Sequence, residues 1–162
     1  MRKRAVSIIL ATLLLFSILP ICASAATIQH GIDVSQWQGV IDWETVSTQI
    51  DFAILRCAQG SDLQDTQWEA NASACTRLGI PFGVYVRSYA MSDEEARKEA
   101  EFALTLLEKY QPSLPVYLDL EASDGDPFEQ KSPADKLRHT QIFCEAIEAA
   151  GYRAGVYSNY YW

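Results

Sequence analysis

Two kinds of hydrophobic pattern alternate along the chain. Short runs of apolar and β-branched residues predict strands, and longer segments with apolar residues every three or four positions predict helices. The predicted strands are 31–35, 52–58, 81–86, 114–121 and 153–158. The predicted helices are a short one near 42–47 and longer ones at 67–78, 92–110 and 132–150, with 60–65 as a polar loop. This alternation predicts an α/β fold around a parallel sheet.

The residues at the segment boundaries support these helices. Ser92 with Glu95 matches a capping box, Pro133 stands at the favoured first helical position, and Gly79 follows a helix end. In the last helix we expect His139, which lies in a charged stretch, to face solvent. The apolar positions of that helix are Leu137, Phe143, Cys144 and Ile147.

Five strand–helix steps fit either a (β/α) barrel or a doubly wound open sheet. An eight-unit barrel usually takes ~250 residues, whereas this chain has 162. Either the sheet is open or the barrel is incomplete, and we favour a (β/α) barrel truncated after about the fifth strand. In both architectures ligands bind at the carboxyl ends of the strands.

The predicted strand at 114–121 ends in two acids. Alternate residues of a strand share a face, so Tyr117, Asp119 and Glu121 project together. The two carboxyl groups then lie roughly 6–7 Å apart along the backbone. Such closeness separates two pKa values, leaving one protonated acid and one ionised base or stabiliser. Acids at strand ends also cap loops or pair with basic side chains, so residue types alone leave both interpretations open.

More polar and aromatic side chains stand at the ends of other predicted strands. Aromatic faces stack on sugar rings, and carboxyl groups act on the glycosidic oxygen, so the pattern favours a carbohydrate site. Singly, Asp33 fits a turn cap equally well, and a lone tyrosine is more often a packing residue. The residues at these ends are Asp33, Arg56, Tyr85, Arg87, Asp119, Glu121, Tyr157 and Asn159.

Charge and motifs exclude several classes of function. The formal net charge is −8, and it becomes −11 without residues 1–25, which hold three basic and no acidic residues. Such a surface is a poor match for nucleic acid or anionic membranes. The sequence has no glycine-rich phosphate loop, no G-x-S-x-G motif and no zinc-ligand spacing. We therefore expect neither a metal nor another cofactor.

Residues 1–25 have the pattern of an export signal, with a basic start, an apolar segment at 8–19 and the small-x-small motif Ala23-Ser24-Ala25. Cys22 would allow a lipoprotein anchor, but 19–21 lacks the small residue expected before such a cysteine. We therefore expect a secreted protein without a membrane anchor. Its single domain would be 26–162, incomplete at the C-terminus.

An odd number of cysteines follows the predicted signal, so at least one has no partner within the chain. Each of the three lies on an apolar element, and buried free thiols are favoured over a disulfide. These cysteines are Cys57, Cys75 and Cys144.

Several blocks of the sequence resemble glycoside hydrolase family 25. The stretch from Gly31 to Gly39, GIDVSQWQG, followed by Ile41-Asp42-Trp43, looks like the opening signature of that family. Blocks at 52–60, 79–85, 115–121 and 155–159 resemble its successive motifs. At 85–87 this chain has Tyr-Val-Arg where the family more often has tyrosine, histidine and an aromatic residue.

The resemblance implies a muramidase that hydrolyses the β-1,4 bond between N-acetylmuramic acid and N-acetylglucosamine in peptidoglycan. It implies that Glu121 is the general acid, and that Asp33 and Asp119 steer the acetamido group of the substrate as an internal nucleophile. Tyr85, Tyr117 and Tyr157 are the expected substrate-binding residues, and we expect a monomer. The alternatives are a non-catalytic protein that binds cell-wall glycan and a related glycosidase that acts on another polysaccharide.

Overall fold

The computed structural model describes residues 27–121 and 130–159. The predicted export signal at 1–25 lies outside the described residues. Within them, the strands are β1 (Gly31–Val34), β2 (Phe52–Gln59), β3 (Leu63–Gln64), β4 (Phe82–Arg87), β5 (Val116–Leu120) and β6 (Ala154–Ser158). The α-helices are α1 (Trp43–Val46), α2 (Trp68–Leu78), α3 (Asp93–Leu107) and α4 (Pro133–Ala149), and a 3₁₀ turn (Gln36–Gln38) follows β1.

Five of these strands form a parallel sheet in the order β1-β2-β4-β5-β6. The helices between successive strands make this a β-α succession, so the predicted α/β class is confirmed. A parallel sheet of five strands is consistent with the prediction of a (β/α) barrel that is truncated after about the fifth strand.

The prediction that 60–65 is only a loop was wrong. Two residues of this segment form β3, which pairs antiparallel with the end of β2. The chain reverses at Gly60, whose φ of +60° is a conformation that favours glycine. The backbone amide of Asp65 then donates to the carbonyl of Cys57 at 2.9 Å.

One face of the sheet is covered by helices and forms the hydrophobic core. Small alanine side chains on α3 allow that helix to pack closely on the strands, and a T-shaped pair of Trp68 and Tyr110 rings fills the space beside α2. The strand residues on this face alternate with those of the opposite face. They include Leu55, Val84, Val86, Val116, Leu118 and Leu120.

The helix boundaries follow their capping residues. Ser92 caps α3 by accepting from the amide of Glu95 at 3.2 Å. The Glu95 carboxylate accepts from the amide of Met91 at 2.6 Å, so only the Ser92 half of the predicted capping box is present. Helix α3 ends at Leu107, three residues before its predicted end. Pro133 is the first residue of α4, as predicted, and Ser132 caps that helix.

The predicted faces of α4 need correction. His139 is buried, with 4% of its surface exposed, whereas Leu137 is 58% exposed. The buried positions of α4 are His139, Phe143 and Ile147, which are four residues apart. Burial of His139 is tolerated because its Nε2 lies 3.2 Å from Asp93 Oδ1 and its Nδ1 contacts the Lys131 ammonium group. Asp93 is the first residue of α3, and Lys131 lies two residues before α4.

The three cysteines in the described residues are free thiols, as predicted. Cys57 and Cys75 are buried, but Cys144 is only half-buried, so its predicted full burial was wrong. The described part of the chain contains no helix that is both long and apolar enough to cross a membrane.

Candidate active site

A cavity of about 280 Å³ lies where the carboxyl ends of the parallel strands meet. All six residues that the sequence predicts for the site line this cavity, so the fold brings them together from four strands and the residue that follows β5. The lining residues are Asp33, Ile54, Tyr85, Tyr117, Asp119, Glu121, Val156 and Tyr157. Their roles in catalysis and binding stay predictions.

The register of the sheet explains this convergence. Asp119 pairs with Arg87 of β4 on one side and with Tyr157 of β6 on the other. Paired residues of parallel strands point to the same face, so these three side chains emerge together. Glu121 follows at the position after β5, two residues beyond Asp119 on the same face.

Tyr117 reaches the cavity because β6 has a glycine beside it. A Cβ atom at Gly155 would lie 2.5 Å from Cδ1 of the Tyr117 ring, which is closer than atoms approach without a shift. The absent side chain lets the ring lie against the β6 backbone. The Tyr117 ring therefore packs on Gly155 of β6 and also lines the cavity.

Asp119 is the carboxyl group whose proton affinity is most clearly changed. Only 6% of its surface is exposed, and its Oδ1 has no hydrogen-bond partner among the described residues. Burial and then the charge of Glu121 raise the pKa of Asp119 to about 7, against the smaller opposing influence of Arg87. The sequence predicted that two neighbouring acids would differ in proton affinity, and the structure places the raised pKa on Asp119.

Asp33 forms a second carboxyl position at the cavity. Desolvation raises the pKa of Asp33, whereas a hydrogen bond from the Tyr85 hydroxyl group lowers it by a smaller amount. The same surroundings raise the pKa of Tyr85, through burial first and the Asp33 charge second. Tyr85 therefore stays a neutral hydrogen-bond donor beside Asp33.

Glu121 is more accessible than Asp119, with 33% of its side chain exposed. The Arg87 guanidinium group lies beside it, with Nη1 4.0 Å from Glu121 Oε2. The carboxylate of Glu121 also hydrogen-bonds to Tyr157, and its charge is the main cause that raises the pKa of the Tyr157 hydroxyl group. Glu121 is thus flanked by one cation and one phenol at the open side of the cavity.

Arg56 does not take the position that its place in the sequence suggests. Its side chain is buried beside the cavity, and its Nε lies 2.7 Å from Asp65 Oδ2. Asp65 also accepts from the backbone amides of Gln36 and Gln67, each at 2.9 Å. This buried pair fixes the loops that follow β1 and β3. The sequence indicated this pair only through Arg56, because a charged residue inside an apolar strand requires a charged partner.

Two apolar lining residues, Ile54 and Val156, were not among the predicted site residues. Ile54 has the same parity in β2 as Arg56, and this two-residue period would have placed it on the cavity face. The same period gives no such indication for Val156, because it is adjacent to Tyr157 and is therefore expected on the opposite face of β6.

The arrangement is suited to acid–base chemistry on a neutral polyhydroxyl ligand. One carboxyl group is protonated to a large extent near neutral pH, two others share the same cavity, and tyrosines supply flat faces and hydroxyl donors. Among the described residues, no group of three or more His, Cys, Asp or Glu side chains has a geometry that would hold a metal ion.

Comparison with known proteins agrees with this geometry. A lysozyme of Lactococcus phage mv1 is 29% identical over 136 residues, which are 80% of this chain and 65% of that lysozyme. The protein YegX of Escherichia coli K12 is 32% identical over 98 residues, which are 57% of this chain and 35% of YegX. The chain therefore spans between about a third and two thirds of these relatives.

Among solved structures, the modular autolysin LytC of Streptococcus pneumoniae is similar with a TM-score of 0.71 and 29% identity, over 80% of this chain and 32% of LytC. Another LytC structure contains a synthetic peptidoglycan ligand. The model of the family described as Glycosyl hydrolases family 25 matches residues 32–162. This match covers most of the sequence and includes the strands that carry the cavity, and the chain therefore belongs to glycosyl hydrolases family 25.

Proposed function

We propose that this protein is a muramidase that hydrolyses the β-1,4 bond between N-acetylmuramic acid and N-acetylglucosamine in peptidoglycan. The observation that carries the proposal is the convergence of three carboxyl groups and three tyrosines on one cavity, in a chain of this family. A phage lysozyme and a pneumococcal autolysin among its relatives support the choice of substrate.

Glu121 is the general acid in this proposal. It lies at the open side of the cavity, where a glycosidic oxygen can approach, whereas Asp119 is almost fully buried. The two groups are close enough for the charge of one to raise the pKa of the other. A glycan bound over Glu121 would exclude water from the cavity and strengthen the electrostatic interaction between the two groups.

Asp33 and Asp119 act on the part of the sugar that attacks the anomeric carbon. The acetamido carbonyl oxygen forms the new bond to that carbon as the glycosidic bond breaks, and the leaving oxygen takes the proton of Glu121. Carboxylates near the acetamido N–H stabilise the positive charge that develops on this group. Water then attacks the anomeric carbon and gives its proton to Glu121. The bond between that carbon and the acetamido oxygen breaks, the acetamido group is regenerated, and the configuration is retained.

The tyrosines have two roles in the proposal. The Tyr85 hydroxyl group orients Asp33, and the Tyr157 hydroxyl group orients Glu121. Tyr117 offers an aromatic ring at the cavity wall, where a sugar ring can pack. We also propose that the protein is secreted, because residues 1–25 have the pattern of an export signal.

The proposal is tested by measuring the release of reducing ends from purified peptidoglycan, with the protein expressed from its whole reading frame. Glu121→Gln should lose at least about 10³-fold in kcat, because an amide has no acidic proton to donate. Asp33→Asn and Asp119→Asn should each lose about 2–4 kcal/mol of transition-state stabilisation. Glu101→Gln is the matched control, since Glu101 is exposed on α3, and it should keep full activity.

Near-normal activity of Glu121→Gln would remove Glu121 from the acid role. Binding of peptidoglycan by the unaltered protein without any release of reducing ends would instead favour a wall-binding protein. Turnover of a different polysaccharide alone would favour a related glycosidase.

A further inference from the structure

Arg87 lies beside two carboxyl groups, that of Asp119 on β5 and that of Glu121 directly after β5, without lining the cavity itself. It is the last residue of β4 and pairs directly with Asp119 across the sheet. Its side chain is 23% exposed, so it is partly withdrawn from solvent. A cation in such a place acts on its neighbours more strongly than one on an open surface.

The guanidinium group has two contacts with Glu121. Nη1 lies 4.0 Å from the carboxylate Oε2, and Nη2 donates to the backbone carbonyl oxygen of Glu121 at 3.4 Å. The planar group therefore spans the main chain and the side chain of the same residue. This arrangement restricts Glu121 just where β5 ends and the chain leaves the sheet.

The other side of the guanidinium group is held by an aromatic ring. The Cζ atom of Arg87 lies 5.6 Å from the centroid of the Tyr89 ring, within the range of a cation–π contact. The Tyr89 backbone is in turn fixed, because its amide donates to the buried Glu99 carboxylate at 2.7 Å. Tyr89 is therefore an anchored support for Arg87.

We propose that Arg87 is a positioning residue for the reaction: supported by Tyr89, it holds the Glu121 carboxyl group in its working orientation and supplies the positive charge that balances Asp119 and Glu121. This inference rests on the proposed function and deepens it, because it names a residue that orients the proposed general acid, Glu121.

The charge of Arg87 has a defined direction of effect. It opposes the burial and the Glu121 charge that raise the pKa of Asp119. The other charged groups that act on Asp119 are Asp33, which raises its pKa, and Arg56, which lowers it. Arg56 is already paired with Asp65. Arg87, by contrast, faces the acids of β5, so its removal should increase their proton affinity.

The first measurement follows the carboxyl groups of Asp119 and Glu121 by ¹³C NMR titration, which requires no turnover. In Arg87→Met the apparent pKa values of the pair should rise by about one pH unit relative to the unaltered protein. Arg87→Lys should show a smaller rise, since it keeps the charge but not the planar contact. Arg97→Met removes an exposed arginine of α3 and should leave both values unchanged.

The second measurement is the pH profile of peptidoglycan hydrolysis. Arg87→Met should lower kcat by tenfold or more, leave KM within twofold, and move the alkaline limb of the profile upward, with partial recovery in Arg87→Lys. Tyr89→Leu should change the profile in the same direction by a smaller amount. Tyr89→Phe keeps the ring and should behave like the unaltered protein, which separates loss of the support from loss of the hydroxyl group.

Unchanged carboxyl pKa values in Arg87→Met would overturn the proposal, whether or not the variant is less stable. A raised KM with unchanged kcat would also overturn it, because Arg87 would then be a substrate contact. If the unaltered protein shows no hydrolysis but the titration shift is present, the proposed function fails while the placement of Arg87 as the charge that balances this pair stands. If Arg87→Met does not fold, the same titration is applied to Tyr89→Leu and Tyr89→Phe. Raised carboxyl pKa values in Tyr89→Leu alone would support the proposal, and unchanged values in Tyr89→Leu would overturn it.

Discussion

The two faces of β5 differ sharply in their surroundings. On one face Val116, Leu118 and Leu120 are buried against the helices. On the other face Tyr117 and Asp119 point into the cavity. One strand therefore provides hydrophobic stability on one side and chemistry on the other, and alternation in the sequence is what allows it.

Burial also affects the stability of the two faces in opposite ways. Leu118 is stabilised by burial, but burial of Asp119 disfavours its charged form and raises its pKa to about 7. The same loss of water therefore stabilises one face of the strand and destabilises the other at neutral pH. Substitutions on the two faces should separate stability from activity.

The largest effect on stability is expected on the covered face. Leu118→Ala removes a side chain that is 1% exposed and leaves a cavity between β5 and the helices. The free energy of unfolding should fall by about 2–5 kcal/mol, as measured by urea denaturation. The activity per folded molecule should change little, because the cavity face is intact, and Leu118→Met should lose much less stability. A large loss of activity in the fraction that remains folded would contradict the separation of the two faces.

A smaller effect of opposite sign is expected from Asp119→Asn. The pKa of Asp119 is about 7 in the folded protein and 3.8 in the reference state. Below about pH 4 both states are protonated, and between pH 4 and 7 the folded state keeps a proton that the unfolded state releases. The contribution of Asp119 to stability therefore falls as the pH rises through this window. The Asn variant should gain about 1–3 kcal/mol at pH 8 and almost nothing below pH 4.

Urea denaturation of this variant at a series of pH values checks the prediction. The matched control is Asp62→Asn, because Asp62 is exposed in the turn before β3, and its difference from the unaltered protein should not grow with pH. A stability gain of Asp119→Asn that is equal at all pH values would show that the effect does not come from the charge.

The smallest effect concerns the thiols, which report on the integrity of the covered face. Burial raises the pKa of Cys57 and of Cys75 to about 12, so a thiol reagent at pH 8 should leave both unmodified in the folded protein. Cys144 is half-buried and should react slowly. In a protein without residues 1–25, Cys144→Ser should therefore abolish native labelling, whereas rapid modification of Cys57 would contradict the packing of β2.

The parts of the fold that depend on local pattern were predictable from the sequence. The apolar alternation around Leu118 is sufficient to place Asp119 and Tyr117 on the opposite face of their strand. The parallel sheet followed from the succession of strands and helices, because such successions have few arrangements. The cavity followed in turn, since parallel strands share one carboxyl edge.

The parts that failed depend on contacts between side chains of different elements and loops. His139 lies among charged neighbours in sequence, yet its burial is decided by Asp93 and Lys131. The sequence suggested a strand-end position for Arg56, but this residue lies inside β2 and its side chain is buried beside Asp65. The sequence spacing of the two acids does not show which of them is more buried, so it could not predict that the raised pKa belongs to Asp119.

The most direct test of the central claim is the structure of the products released from peptidoglycan. Mass spectrometry of the products before and after borohydride reduction identifies which sugar carries the new reducing end. The account predicts N-acetylmuramic acid at every new reducing end, and no such product from Glu121→Gln. New reducing ends on N-acetylglucosamine, or the same product at the same rate from Glu121→Gln, would contradict it.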